Sequence, residues 1–138
     1  MRLRLVELTA EPLSVPLIDP FVIATGRVDA TRSALVRARI ETPAGLFDGL
    51  GEASCLPPVT REDQPDALRE IARAARTLVG TGAAELTAFA ERLDDALGAW
   101  PVARAGVEMA LLDALARARG APLYRQLSGI AAAPTIVT

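Results

Sequence analysis

The spacing of apolar positions changes along the chain. In the first half the period is near two, the repeat of a half-buried strand; beyond residue 60 it lengthens to roughly 3.6, the repeat of an amphipathic helix. Residues 2–17 read as extended: Leu3 and Leu5 alternate with Arg2 and Arg4, and Leu13, Val15 and Leu17 alternate again further on. The phase slips between Val6 and Pro12, which predicts a bulge or an edge strand, since proline cannot donate to a ladder. Residues 31–42 form the clearest strand, with Ala34, Val36, Ala38 and Ile40 on one face and Arg37, Arg39 and Glu41 on the other. Pro43-Ala44-Gly45 is turn chemistry, and residues 46–53 return as a third strand. The three segments predict an antiparallel meander with one face on a core. Between them, residues 18–29 and 54–61 read as loops that carry apolar side chains, where loops are usually polar.

Thr60 followed by Asp63 resembles a helix start, a loose relative of the capping box. The first helix places Leu68, Ile71, Ala72, Ala75, Leu78 and Val79 on one face, with Arg69, Arg73 and Arg76 outside as a solvated face, and ends at residues 80–82. A second places Leu86, Phe89, Ala90, Leu93 and Leu97 at helical spacing and closes at Gly98. The third, residues 101–120, opens on proline and closes on glycine. It is apolar almost all round (Val102, Val107, Met109, Leu111, Leu112, Leu115), so it should be buried on more than one side. Its pairs Arg104/Glu108 and Asp113/Arg117 are four apart and should meet on its surface. A short turn over 122–127 follows, then Gly129, and residues 134–138 read as the start of another strand. Strands first and helices afterwards give an α+β fold: a three-stranded antiparallel meander followed by a bundle of about three helices.

Composition narrows the chemistry. The 138 residues are 51% hydrophobic, enough for one domain with a core. A net charge of −2 argues against nucleic acid and against an anionic membrane as partner. No apolar run reaches the length of a membrane span, and the first residues lack the pattern of a signal peptide. The lone Cys55 excludes an internal disulfide and fits a reducing cytoplasm, the expected location. The sequence contains no histidine and no lysine; all fifteen basic residues are arginine. Ser-His-Asp and Cys-His systems are thereby excluded, as are histidine-built zinc sites. Proton chemistry within this chain would rest on carboxylates, Tyr124 or Cys55.

The individual candidates mostly have structural readings. Glu91, Asp94 and Asp95 do not share one helix face, so they read as a solvated surface. Asp113 reads as the partner of Arg117. Glu52, at a strand end beside a loop, reads as a structural acceptor or a site residue. Gly49 and Gly51 are too few for a phosphate loop. Cys55, with no base near it in sequence, reads as an inert thiol, and Tyr124 as packing against the bundle. The two apolar loops are the exception, and are expected to meet a ligand or another domain.

Three features together resemble a known family. They are the Gly51-Glu52-Ala53 run after the third strand, the stretch from Ala105 to Asp113, and Gly120-Ala-Pro-Leu-Tyr124 followed by Leu127-Ser-Gly129. They resemble the N-terminal capping domain of the enolase superfamily, in its muconate-lactonizing subgroup. Asp19-Pro-Phe-Val-Ile-Ala24 and the residues from Gly51 to Thr60 look most like dipeptide epimerases. The resemblance implies a cap over residues 1–130 and, in residues 131–138, a linker and the start of the first strand of a (β/α) barrel. It implies that two loops line the substrate pocket, through Phe21, Ile23, Gly26 and Arg27 and through Leu56, Pro57 and Val59. Where an arginine can hold an acidic substrate side chain, this sequence has Gly26, with Arg27 one residue on. The implied partners are the barrel domain and a small substrate such as a dipeptide, with a homo-oligomer as a further class. The implied reaction is an isomerisation by proton abstraction next to a carbonyl. Lysine bases and Mg2+ would be supplied by residues beyond Thr138, so the chain alone is expected to be inactive, with no catalytic or metal-binding residue of its own. The alternative is a non-catalytic binding or oligomerisation module with the same fold; a product that has lost all activity is the third reading.

Overall fold

In the computed structural model, which describes residues 2–129, the first strand changes phase at Val6. Leu5 pairs with Ile40 but Glu7 pairs with Arg39, so Val6 is the extra residue of a bulge. The inward set passes from Leu3 and Leu5 to Leu8, and all three are buried. The slip in the apolar pattern is therefore a physical slip in the ladder.

Among the described residues ten elements follow in order: β1 (Leu3–Leu13), β2 (Pro16–Ile23), β3 (Gly26–Ala30), β4 (Arg32–Thr42), β5 (Gly45–Cys55), α1 (Gln64–Leu78), β6 (Gly82–Ala83), α2 (Leu86–Leu97), α3 (Pro101–Ala118) and α4 (Leu123–Ser128). The main sheet is antiparallel in the order β5-β4-β1-β6, so the expected meander is present, with a two-residue strand added at one edge. β2 and β3 form a separate sheet.

That second sheet corrects the reading of residues 18–29 as a loop. They belong to a hairpin in which Phe21 pairs with Val28, Val22 with Arg27 and Ile23 with Gly26, leaving Ala24 and Thr25 as the turn. Val22, Ile23 and Val28 favour strand. The register breaks between Pro16 and Phe21, and Pro20 sits in that stretch, which hid the alternation. The extended stretch 2–17 likewise divides between β1 and β2.

Helix α1 is capped by Asp63, not Thr60. The Asp63 side chain accepts the Asp66 N–H while the Asp63 N–H donates to the Asp66 side chain at 3.0 Å, a reciprocal capping box, and the Gln64 N–H also donates to the Asp63 side chain at 2.8 Å. Its buried face is also turned from the one expected. Ala67, Ile71, Ala74 and Leu78 are buried, together with Gln64 and Glu70, while Ala72 and Val79 are exposed. Glu70 takes an inward place because Arg73 and Arg69 neutralise it, at 2.7 and 3.1 Å. The turn over 122–127 is a short helix, α4, closed by Gly129 at φ 68°. The strand expected at residues 134–138 lies outside the described residues.

The core lies between the sheet and α3. Ala34, Val36, Ala38 and Ile40 of β4 meet Ala103, Val107, Ala110, Leu111 and Ala114 of α3, with Phe89, Leu93 and Leu97 of α2 completing the cluster. α3 buries eight residues on more than one side, as its composition required. Both of its expected ion pairs form, Arg104–Glu108 at 2.7 Å and Arg117–Asp113 at 3.1 Å. Asp113 also accepts the Leu50 N–H at 3.0 Å, which occupies a donor on the outer edge of β5.

The opposite face of the sheet carries charges in pairs: Arg4 with Glu41, Arg37 with Glu11, and Arg39 with Glu7 and Asp48. Hydrogen bonds from Arg39, Arg32 and Arg73 hold Asp48, Asp63 and Glu70 below the usual carboxylate range. The Asp63 N–H, and then Arg69, does the same for Asp66. A carboxyl depressed in the folded state stabilises it above the unfolded pKa, and that stability is lost as pH falls through the folded value. The chain should therefore hold a constant urea midpoint from neutral pH down to about pH 5 and lose stability progressively below about pH 4. Urea titrations across that range check it, and a midpoint that rises on acidification would contradict the pairing.

Candidate functional site

Two hydroxyls fix the segments that the sequence singled out. A lone two-stranded hairpin is marginal in water, but this one is tied at its base. Thr31 Oγ1 accepts the Val15 N–H at 2.8 Å and donates to the Leu13 carbonyl at 3.2 Å, and the Thr31 N–H donates to the Val15 carbonyl. Thr60 does the same for the second segment. Its Oγ1 accepts the Leu56 N–H at 2.8 Å and donates to the Glu62 carbonyl at 2.7 Å, while its N–H returns to the Leu56 carbonyl. Buried Gln64 joins the two regions by donating to Ser14 Oγ and to the Ser33 carbonyl. The apolar segments thus stand on polar footings and belong to a fixed frame.

Between the hairpin and the ends of β4 and β5 lies a concavity of about 380 Å³. Leu17, Phe21 and Val28 wall it from the hairpin, and Cys55, Leu56 and Pro57 from the other segment. Thr31, Arg32, Ser33, Glu52 and Ser54 complete the lining. Phe21, Leu56 and Pro57 are thereby brought together. The other expected residues are placed elsewhere. Ile23 and Gly26 pair at the hairpin tip. Arg27 is held by Asp29 at 2.8 Å and lines a neighbouring shallow hollow that shares Pro57. Val59 stands in an exposed turn. Sequence reasoning missed Leu17, Val28 and Arg32 as lining residues. The period-two spacing of Val15 and Leu17 could have flagged Leu17; Val28 needed the hairpin register.

The charges around the concavity have distinct roles. Arg32 grips Asp63 with two hydrogen bonds, at 2.6 and 2.7 Å, so its charge is answered within the frame. Asp63 in turn caps α1, which links the rim to the helix start. Glu52 receives only the Ser54 hydroxyl, at 3.2 Å, and among the described residues no guanidinium lies within salt-bridge reach of it. Burial pushes the Cys55 thiol up to about 11, helped by the charges of Glu62, Asp63 and Asp66. It is protonated at neutral pH and serves as an apolar wall rather than a nucleophile.

The remaining candidates are structural. Asp94 pairs with Arg104 at 2.6 Å, and the same guanidinium also holds Glu108. Gly49 and Gly51 face α3, where a methyl at either would strike helix backbone. Tyr124 is half-buried on α4. Among the described residues no three of Asp, Glu, Cys or His stand together as a metal site. No described helix is long and apolar enough to cross a membrane.

A meander backed by helices, with a hairpin folded over one sheet end, defines an α+β domain of the enolase N-terminal kind. The chain belongs to the family of the mandelate racemase / muconate lactonizing enzyme N-terminal domain, which matches residues 6–129. It is 41% identical over 120 residues to an L-Ala-D/L-amino acid epimerase of Populus trichocarpa, covering 86% of this chain and 28% of the relative. It is 35% identical over 123 residues to an aromatic dipeptide epimerase of Herpetosiphon aurantiacus, covering 89% of this chain and 34% of that protein. Its fold is similar to the substrate-liganded L-Ala-D/L-Glu epimerase of Bacillus subtilis, with a TM-score of 0.78 and 30% identity, over 91% of this chain and 34% of that one. It is also similar to a dipeptide epimerase of Cytophaga hutchinsonii complexed with Mg and the dipeptide D-Ala-L-Val, with a TM-score of 0.76 and 28% identity, over 95% and 34%. The chain spans about a third of the length of the relatives it matches.

Proposed function

We propose that this chain is the specificity cap of a magnesium-dependent dipeptide epimerase. In this reading residues 1–130 close over the mouth of a barrel domain, residues 131–138 lead into its first strand, and the dipeptide lies between the two. The cap's own residues bind and exclude water. Phe21, Leu56 and Pro57 give the pocket an apolar roof, and Thr31 and Thr60 hold that roof in place. A dry, shaped site strengthens every electrostatic interaction made inside it. Ile23, Gly26 and Arg27 at the hairpin tip and Val59 in its exposed turn would reach the substrate only across the domain boundary. The metal and the bases that move the proton next to the carbonyl would come from the barrel. Such a carbon acid ionises only with strong electrostatic help, and this chain contains no lysine.

The observation that supports this reading most is the concavity itself. Two segments distant in sequence, each apolar where a free loop would be polar, converge on it. The test mixes the chain with a separately produced barrel domain of the same enzyme, in the presence of Mg2+ and L-Ala dipeptides, and follows exchange of the α-proton with solvent deuterium. Exchange should appear on mixing and be absent from the chain alone. Failure of any mixture to exchange, with both parts folded, would favour the non-catalytic module.

A further inference from the structure

The turn that follows β5 owes its shape to itself and its place to residues far along the chain. Among the described residues, every hydrogen bond made by residues 56–60 stays within residues 56–62. Thr60 Oγ1 takes the Leu56 N–H and donates to the Glu62 carbonyl, and the Thr60 N–H returns to the Leu56 carbonyl. That closes the turn on itself and leaves its position to its two ends. One end continues from β5. At the other, Arg61 and Glu62 reach 38 to 41 residues along the chain to the connection between α2 and α3. Arg61 donates to the Ala99 carbonyl at 2.6 Å, and its guanidinium lies 5.3 Å from the centre of the Trp100 ring. Glu62 accepts the Val102 and Ala103 N–H groups. The two anchors differ in burial. Glu62 is 1% exposed and holds the fold. Arg61 is exposed, so its removal leaves the core intact.

Trp100 is suited to receive Arg61. It is the single tryptophan of the chain, and an indole offers a cation the strongest aromatic face. It is also fixed: its backbone N–H donates to the Leu97 carbonyl at 2.8 Å, its carbonyl accepts the Arg104 N–H at 2.9 Å, and its half-buried side chain packs against the core. Arg69 lies 5.6 Å from the centre of the same ring, but its hydrogen bonds go to Asp66 and Glu70 on its own helix. From this we infer that Arg61 is a positioning residue. By resting on Trp100 and holding Ala99 it sets where residues 56–60 stand. Leu56 and Pro57 enter the concavity from that turn, whereas Arg61 is not among the residues that line it. Trp100 therefore acts on the mouth of the pocket from outside it. That a substrate meets this turn is the one point taken from the cap reading.

Amide hydrogen exchange, followed by NMR on the 138-residue chain, tests the position of the turn without the barrel. Arg61→Ala removes one exposed cation–π contact and one charge-assisted hydrogen bond. It should speed exchange at the Leu56 and Thr60 N–H groups by about tenfold and leave exchange in α1 and the urea midpoint at wild-type values. Arg69→Ala is the control. It takes a guanidinium from the same ring and should alter the Trp100 emission, as Arg61→Ala does, without speeding exchange at Leu56 and Thr60. Unchanged exchange at those two groups in Arg61→Ala, an equal rise throughout the chain, the same rise in Arg69→Ala, or a Trp100 emission that Arg61→Ala does not alter would each overturn the inference. In the assembled cap and barrel, Arg61→Ala should raise KM for α-proton exchange of L-Ala dipeptides by about tenfold and leave kcat unchanged, the mark of lost binding rather than lost chemistry. Faster amide exchange with a wild-type KM would overturn the role of Arg61 toward substrate. A wild-type assembly that exchanges no α-proton would sink the cap reading alone, and the amide measurements would still decide what holds the turn.

Discussion

Replacing Gly51 by alanine should destabilise the chain by about 3 kcal/mol or more. β5 and α3 touch backbone to backbone at this point. A methyl on Gly51 would strike the Gly106 carbonyl and stand 2.7 Å from the Ala110 nitrogen and 3.1 Å from Met109 Cβ. None of these is the free end of a flexible side chain, so relief requires the helix to lift off the sheet. Lifting it would open the core at Val107, Ala110 and Leu111, all buried. The approach is reciprocal, since a methyl on Gly106 would stand 2.8 Å from the Ala53 nitrogen. Gly26→Ala is the control, because nothing lies within 4 Å of a methyl there; it should stay within about 0.5 kcal/mol of wild type. Urea unfolding followed by circular dichroism compares the two. A Gly51→Ala variant as stable as the Gly26→Ala variant would mean that the sheet and α3 are not in close contact.

Glu62→Ala is expected to cost about 2–4 kcal/mol, an unusual amount for a charged residue outside any helix. Its side chain is almost wholly buried and serves the start of α3, forty residues downstream in sequence. Its two carboxylate oxygens accept the Val102 and Ala103 N–H groups at 2.8 and 2.9 Å. The helix has no side-chain cap of its own, for its N-cap residue is Trp100. Pro101 has no N–H to satisfy, and the Arg104 N–H is taken by the Trp100 carbonyl at 2.9 Å. Glu62 therefore completes the first turn, and its negative charge sits at the positive end of the helix dipole. Alanine would leave the part-buried Val102 donor and the buried Ala103 donor without acceptors. Glutamine keeps one oxygen and no charge, so Glu62→Gln should lose roughly half as much. The order Ala worse than Gln worse than wild type, measured by urea midpoints, is the expected result. Equal losses for both variants would indicate that charge alone matters, and no loss for either would remove Glu62 from the cap.

Much of the chain could be read before any coordinate. The meander, the bulge near Val6, the three helices and both ion pairs of α3 follow from local periodicity, because period two and period 3.6 are set by the backbone itself. Gly120 ends α3 with φ at 61°, where proline-first, glycine-last patterning puts it. A shared pocket for Phe21, Leu56 and Pro57 was what the family resemblance implied, and these three side chains line one concavity.

What the sequence could not reveal depends on partners far along the chain. Nothing in the local spacing marks Glu62 and Glu70 as buried until α3 and two arginines are seen beside them. Gly49 and Gly51 read as ordinary positions of the third strand until the helix is laid across them. The hairpin of β2 and β3 hides behind Pro20, because its strands are joined by a register that only pairing defines. The sequence by itself determined the three strands of the meander and the three longer helices, since those follow from spacing along one backbone. The tertiary structure alone decided which charges meet a partner, as Glu62 does at the start of α3 and Glu70 between two arginines. Neutralisation and close approach are properties of atoms a few ångströms apart in space, however many residues separate them.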